Sequence, residues 1–199
     1  MVQPIYKAYA SVDHHAQAQD SSLSPTKQPK TKQPKHILII PTIHTMAYPI
    51  TLPGLNTRDS IIDAVYRGTL AFDTGDATLL ESAMTDDAVL ETGGTTFEGM
   101  ETIRTKLFGR IAKLDTTHFV TNMRVGFKEG EAAASVTAGF LAQHYREGQG
   151  VVPDATRYLV GGVYFIELVK DGKDGLWKAK HWRVKPTWSE GDRGVMSGH

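Results

Sequence analysis

The sequence predicts an α+β domain in which a curved antiparallel sheet forms a cone-shaped barrel closed by three N-terminal helices. Between residues 57 and 111 apolar side chains recur at helical spacing, whereas residues 117–188 alternate over long extended stretches. Gly161 and Gly162 then interrupt one long strand at mid-length, where a bulge or sharp bend is expected. Helices packed against a bent sheet enclose a cavity, and such a cavity is where a small-molecule site is expected.

The first predicted helix covers residues 57–73, with Asn56 or Thr57 as its cap. Asp59 lies in its first turn, where a negative charge complements the helix dipole. One face is made by residues at helical offsets, and only its last member is charged: Ile62, Tyr66, Thr69 and Asp73. The pattern indicates that this face is buried and that Asp73 points toward the interior.

Two more helices and five strands complete the prediction. Asp76 caps a second helix that carries Leu79 and Leu80, and a strand over residues 88–92 ends at Gly93 and Gly94. A third helix has an apolar stripe of Met100, Ile103, Leu107 and Ile111. The period then becomes extended, which predicts strands over residues 117–125, 131–146, 156–169 and 176–188. One face of the second of these comprises Val136, Ala138, Phe140, Ala142 and His144.

Length and composition indicate one folded domain with a tail at each end. Residues 1–45 are rich in Gln, Ser, Lys and Pro, which predicts a disordered tail that is dispensable for folding. The domain is expected over residues 46–192, followed by a C-terminal tail over residues 193–199. The apolar stretch at residues 36–50 is too short and interrupted to span a bilayer, so no membrane association is expected.

The charge balance and the lack of cysteine narrow the functional classes. The formal net charge is zero and the basic residues are dispersed, so no nucleic-acid partner is expected. Without cysteine there are no disulfides and no thiolate nucleophiles, which suits a cytoplasmic location. No histidines on a predicted element have zinc-ligand spacing, and Gly93-Gly94 begins no helix. We therefore expect no metal and no other cofactor.

Asp73, His118 and His144 are the candidate catalytic residues, because each lies where a core residue would normally be placed. Carboxylate and imidazole groups are the usual means of moving protons near neutral pH. Each residue also has a structural interpretation. Asp73 could turn to solvent before Gly75, His118 could bond a backbone carbonyl, and His144 could be a solvated residue at a strand end. His181, by contrast, is expected to be structural.

Aromatic and polar residues near this triplet are candidates for the wall or mouth of the cavity and for substrate binding. Strand alternation cannot direct all of them inward at once. They are Tyr66, Phe72, Phe119, Asn122, Tyr145 and Trp182.

The order of these elements resembles the nuclear-transport-factor-two-like superfamily, and within it the SnoaL-like proteins and the scytalone dehydratase family. The resemblance covers roughly residues 57–192. It depends on four strings in sequence: Phe72-Asp73, Thr117-His118-Phe119, His144-Tyr145-Arg146, and Trp177-Lys178 through Trp188.

The resemblance implies roles for the triplet. In the dehydratase, an aspartate holds a histidine that acts as general base and acid, and a second histidine assists; the matching positions are Asp73, His118 and His144. Two tyrosines and an asparagine of that family correspond to Phe72, about Thr92 and a position near Val163. That departure argues against the dehydratase's own substrate but leaves the acid/base chemistry in place. Family members commonly assemble through the open sheet face, which implies a homodimer or homotrimer.

These observations predict a cofactor-free dehydratase, isomerase or cyclase acting on a hydrophobic, oxygenated metabolite of polyketide or terpenoid type. His118 would remove a proton next to a carbonyl, Asp73 would fix the imidazole tautomer, and His144 would donate to the leaving hydroxyl or the enolate oxygen. Two alternatives stay open. Asp73 could itself shuttle the proton in an isomerase, or the domain could be a non-catalytic ligand-binding or dimerisation module.

Overall fold

The computed structural model describes residues 48–197, and its main feature is a six-stranded sheet with helices against one face. The strands are β1 (Met84–Thr92), β2 (Thr95–Glu98), β3 (Asp115–Phe127), β4 (Ala133–Tyr145), β5 (Arg157–Lys170) and β6 (Trp177–Gly191). Their order across the sheet is β2-β1-β6-β5-β4-β3. The predicted tail at residues 1–45 lies outside the described residues.

Two helices precede the sheet, and their caps are those the sequence predicts. The helix α1 spans Thr57–Thr74, and the Asn56 side chain accepts a hydrogen bond from the backbone N–H of Asp59. Gly75 ends α1 with a φ of 69°, a conformation that glycine adopts without steric cost. Asp76 caps the helix α2 (Ala77–Ala83) in the same way, so the two helices join through a short turn.

The third helix, α3, follows β2 and is built from three pieces: Met100–Thr102, Ile103–Phe108 and Gly109–Ile111. The middle piece is π-helical, a wider coil than the continuous α-helix that the apolar spacing predicts. The predicted stripe is still largely buried, since Ile103, Leu107 and Ile111 are each less than 7% exposed. Only two helices therefore precede the sheet in the described chain, because β1 and β2 separate α3 from the others.

The sheet is curved but unclosed, and it is not wholly antiparallel as predicted. The strands β3 to β6 form an antiparallel meander, but β1 pairs with β6 in parallel. Gly93 and Gly94, both at positive φ, turn β1 back into β2, a strand that the sequence prediction missed. Because β2 and β3 are both edges, the sheet forms a cone with an open side rather than a closed barrel.

The predicted bend in β5 is confirmed at the two adjacent glycines. The register between β5 and β6 shifts between Gly161 and Gly162. The indole of Trp188 lies directly against Gly161 on the outer face, where any side chain at residue 161 would collide with it. The bend curves the sheet around the space that the helices face.

The helices pack on the inner face of the sheet through a largely apolar core. The residues predicted to share one face of β4 lie on its inner face, each 6% exposed or less: Val136, Ala138, Phe140, Ala142 and His144. A buried arginine ties the layers together. The guanidinium of Arg67 is 2.8 Å from the Asp63 carboxylate and donates to the carbonyls of Ser82 and Trp177, so α1 is bonded to α2 and β6.

The folded domain extends closer to the C-terminus than the sequence predicts. Residues 193–199 were expected to form a tail, whereas Arg193–Ser197 form a 3-10 helix with Val195 fully buried. Burial of Val195 holds this short helix against the domain. None of the helices described between residues 48 and 197 is long and apolar enough to cross a membrane.

Gly68 is the position at which α1 approaches the sheet closely enough to exclude a side chain. A Cβ at residue 68 would lie 2.7 Å from Cζ3 of Trp182. We expect Gly68→Ala to destabilise the protein by roughly 1–3 kcal/mol, since overpacking outweighs the helix propensity that alanine adds. Urea unfolding checks this, with Gly172→Ala as the control because nothing lies within 4 Å of its added methyl group. Equal stabilities of the Gly68 variant and the wild type would contradict the prediction.

Candidate active site

A cavity of about 700 Å³ lies between the inner face of the sheet and the helices. Its wall is mostly apolar and is formed by residues from α1, α3, all six strands and the 3-10 helix at Arg193–Ser197. The main apolar contributors are Phe72, Met84, Leu90, Phe97, Leu107, Ile111, Phe140, Ala142, Val160, Trp182 and Val184. The volume suits a small organic molecule.

His118 lines this cavity and is held by Asp73 from behind. Asp73 Oδ1 lies 2.6 Å from His118 Nδ1, and Asp73 Oδ2 accepts the backbone N–H of His118 at 2.9 Å. Both side chains are about six-sevenths buried, at 13% and 14% exposed. Because each carboxylate oxygen is bonded to His118, the ring is fixed in position and its Nε2 is the nitrogen left for other partners.

His144 lies beside His118 and is the more deeply buried histidine, with 3% of its surface exposed. The two ring centroids are 5.6 Å apart with the planes perpendicular. Burial lowers the pKa of His144 from 6.5 to about 4, and repulsion by the His118 imidazole when that ring is protonated contributes secondarily. His144 is therefore neutral near pH 7. Its Nδ1 lies 3.4 Å from the Tyr158 carbonyl, which can only accept, so this contact favours a proton on Nδ1.

Tyr164 is a cavity residue that the sequence prediction did not select. Its ring stacks on Phe140 with centroids 4.3 Å apart and meets Trp182 edge-on at 5.2 Å. Burial, and then the negative charge of Asp73, raise the pKa of its phenol well above the ordinary value. The hydroxyl keeps its proton and has no hydrogen-bond partner among residues 48–197. In the sequence, alternation along β5 indicates that Tyr164 is on one face of the strand. Which face is the inner one becomes clear only when the register between β4 and β5 is known.

Of the six residues predicted to bind substrate, Phe72 and Trp182 line the cavity. Phe72 packs between the ring of Phe108, at 5.4 Å, and that of His118, at 6.3 Å. The Trp182 indole is 4% exposed, and its Nε1 has no hydrogen-bond partner within the described chain.

The other four predicted wall residues lie outside the cavity, which corrects their placement. Tyr66 is 48% exposed because the buried face of α1 is centred on Ile61 and Val65. Phe119 and Tyr145 alternate with the inward histidines and so face outward. Asn122 is exposed because it adopts a φ of 52° where the register between β3 and β4 shifts.

His181 is paired elsewhere, consistent with the structural role predicted for it. Its Nε2 lies 2.6 Å from the carboxylate of Glu91, across the parallel pairing of β1 and β6. Within residues 48–197, no cluster of three or more His, Asp or Glu side chains has the arrangement of a metal site.

The cone-shaped sheet with helices on its inner face is the architecture of the nuclear-transport-factor-two-like superfamily. A superfamily member from Salmonella enterica superposes with a TM-score of 0.54 at 15% identity, over 71% of this chain and 96% of its own. A provisionally named scytalone dehydratase from Novosphingobium aromaticivorans superposes with a TM-score of 0.58 at 21% identity, over 68% and 87% of the two chains. At these identities the likeness concerns the fold.

The chain belongs to the SnoaL-like domain family, whose sequence model matches residues 53–183. The chain is also similar to the terrestric acid biosynthesis cluster protein E of Penicillium crustosum. The two are 52% identical over 151 residues, which covers 75% of this chain and 96% of the relative.

The depressed pKa of His144 makes stability depend on pH. The unfolded chain binds this proton more readily, so stability should fall as the pH drops from about 6.5 toward 4, by up to about 3 kcal/mol from this residue. His144→Gln should lack that component. Urea unfolding at pH 7 and pH 4.5 measures the difference between wild type and variant. Parallel losses of stability in the two proteins would contradict the assignment.

Proposed function

We propose that the protein is a cofactor-free acid/base enzyme, a dehydratase, acting on a hydrophobic and oxygenated secondary metabolite of polyketide or terpenoid type. The observation that carries the proposal is the contact of 2.6 Å between Asp73 and His118, since His118 lines a largely apolar cavity of about 700 Å³. The name of the 52% identical relative supports a role in secondary metabolism. The lack of cysteine suits the reducing cytoplasm, where we propose that it acts.

His118 is the general base in this mechanism. An ionised Asp73 can only accept, so it holds the proton on His118 Nδ1 and leaves a lone pair on Nε2. His118 lines the cavity and Asp73 does not, so the imidazole rather than the carboxylate meets the substrate. Asp73 also stabilises the imidazolium that forms when Nε2 takes a proton.

The reaction that fits this arrangement is loss of water from a β-hydroxy ketone. His118 Nε2 takes the proton from the carbon next to the carbonyl, and those electrons move onto the carbonyl oxygen as an enolate. When the enolate collapses, a carbon–carbon double bond forms and the β-carbon–oxygen bond breaks. The proton on His118 is returned to the departing hydroxyl, which leaves as water, so the enzyme ends unchanged. Each positioned acid/base step contributes about 10²- to 10⁴-fold.

The roles of the neighbouring groups follow from their protonation. His144 is neutral near pH 7 and its contact with Tyr158 favours the proton on Nδ1, so its Nε2 accepts from a substrate hydroxyl rather than donating a proton. That differs from the donor role expected from sequence. Tyr164 keeps its proton and has no hydrogen-bond partner among residues 48–197, which makes it the donor for the enolate oxygen.

The alternative in which Asp73 shuttles the proton is less well supported. Both carboxylate oxygens of Asp73 already bond His118, one to the ring and one to the backbone, and Asp73 is not among the residues that line the main cavity. A non-catalytic binding module has no use for a buried carboxylate–imidazole pair, whose burial costs stability.

A model substrate tests the mechanism. 3-Hydroxy-1-tetralone loses water to form fluorescent 1-naphthol, so turnover is read directly by fluorescence. We expect the wild type to accelerate this step and His118→Ala to lose at least about 10²-fold. Asp73→Asn should lose a comparable factor, because an amide can hold the wrong imidazole tautomer.

Proton exchange in D₂O separates the outcomes. Deuterium incorporation next to the carbonyl without naphthol formation would indicate an isomerase or cyclase, and a mild His118→Gln with a severe Asp73→Asn would identify Asp73 as the base. No turnover and no exchange by a protein that binds the tetralone would favour the binding module. Melting curves of the variants verify that they are folded.

We also propose that the outer face of the sheet binds a second copy of the chain. Phe119, Leu141 and Trp188 lie in one register row across that face, and Phe119 and Trp188 are 54% and 50% exposed. Exposed charges of both signs flank the row, namely Glu167, Arg183, Lys185 and Glu190, so two copies related by a twofold axis can match opposite charges.

The mass in solution tests this surface. The wild type should have a mass of twice 21.8 kDa by light scattering. Trp188→Lys should shift it toward the monomer, because a buried lysine opposes association. Val151→Lys is the control, since Val151 is 94% exposed in the loop between β4 and β5 and is not part of the row. A monomeric wild type, or an oligomer that survives Trp188→Lys together with Phe119→Lys, would refute the proposed interface.

A further inference from the structure

Two arginines line the cavity, and we propose that they bind a carboxylate on the substrate. The inference rests on the proposed function in that it concerns the same cavity, and it adds the chemical class of the molecule: an apolar, oxygenated compound that carries a carboxylate at one end. The arginines are Arg110, near the end of α3, and Arg193, the first residue of the C-terminal 3-10 helix.

Both arginines lie at the mouth of the cavity. Among the lining residues, the exposed ones mark the opening: Gly93, Thr95, Arg110, Pro186, Arg193 and Ser197. A Cβ on Gly93 would lie 4.0 Å from Nη2 of Arg193, so that guanidinium lies over the tip of the β1–β2 hairpin. The two cations therefore belong to separate elements that meet at the opening.

Neither guanidinium is neutralised by the part of the chain that the structure describes. Several other arginines have carboxylate partners: for example, Arg67 lies 2.8 Å from Asp63, and Arg104, on the same helix as Arg110, lies 2.7 Å from Glu101. Arg110 and Arg193 have no carboxylate within ion-pair distance among residues 48–197. Their donors are left for a molecule that enters the cavity.

The rest of the cavity wall adds no negative charge. No Asp or Glu is among the residues that line it within the described chain. Asp73 lies behind His118 and is paired with it, and His144 is neutral near pH 7. Among the described residues that line the cavity, the permanent charges are the two arginines at its mouth, and they attract anions to the opening.

A carboxylate matches this site better than a neutral oxygen. A planar guanidinium binds a carboxylate through two parallel hydrogen bonds, and such charge-assisted pairs are about twice as strong as neutral ones. The apolar walls would take the hydrocarbon part of the molecule toward His118, while the arginines fix the acidic end at the mouth. The arginines would thus determine which carbon reaches His118 Nε2.

Two aromatic probes of the same shape test the assignment: 2-naphthoate, which is anionic at pH 7, and 2-naphthamide, which is neutral. Binding is measured by isothermal titration calorimetry to the full-length protein. We expect the wild type to prefer the naphthoate by about tenfold or more, with the preference reduced at high salt. Arg110→Gln with Arg193→Gln should reduce the preference to about twofold or less, mainly by weakening naphthoate binding.

Matched controls separate local from general charge effects. Arg58→Gln and Arg124→Gln remove exposed arginines that do not line the cavity, so the preference should persist. The preference should also persist in His118→Ala, because binding of the carboxylate does not require the catalytic base. The binding test therefore remains informative even when no dehydration is observed. Equal affinities in the wild type, an unchanged preference in the double variant, or no binding of either probe at its solubility limit would overturn the proposal.

Discussion

The hydrogen bonds from Asp73 to His118 join the end of α1 to an edge strand, and the site depends on them. As an outer strand of the sheet, β3 has N–H groups without strand partners, and one carboxylate oxygen of Asp73 satisfies the one at His118. The other oxygen fixes the ring of the same residue. A single carboxylate thus fastens a helix across the open side of the cone and orients the imidazole inside it. Gly75 and Asp76 turn the chain immediately afterwards, which keeps α1 from overrunning that contact.

Polar groups elsewhere in the interior are arranged differently. Arg67 is buried, and its guanidinium nitrogens all bond to a carboxylate or to backbone carbonyls, so we assign it a structural role. Tyr164 and His144 are equally buried, but the side chain of Tyr164 has no hydrogen-bond partner within residues 48–197 and that of His144 has only a long contact to Tyr158. Buried polar groups without good hydrogen-bond partners in the protein gain most from hydrogen bonds to a ligand.

Features set by nearby residues were predictable from sequence, and features set by distant pairing were not. The caps at Asn56 and Asp76, the residues that share one face of β4 and the bend at Gly161 depend on local pattern and were confirmed. The parallel pairing of β1 with β6 joins segments far apart in the chain and has no local signature. Neither Tyr164 nor the arginines at the mouth could be selected without the cavity. Phe119 and Tyr145 were misplaced because neighbours of an inward residue on a strand face outward.

The pairing of β1 with β6 also has a consequence for how the chain matures. Strand β1 is held in the sheet on one side by β2 and on the other by β6. Residues 84–91 can therefore form this second pairing only when residues 179–183 are present. During synthesis from the N-terminus, the helices and the β3–β5 meander emerge while that neighbour is still missing. Such long-range closure is entropically slow. The cavity is lined by Met84 and Leu90 on β1 and by Trp182 on β6, so it forms only after β6 has been synthesised. A nascent chain that still lacks β6 therefore has no complete binding site.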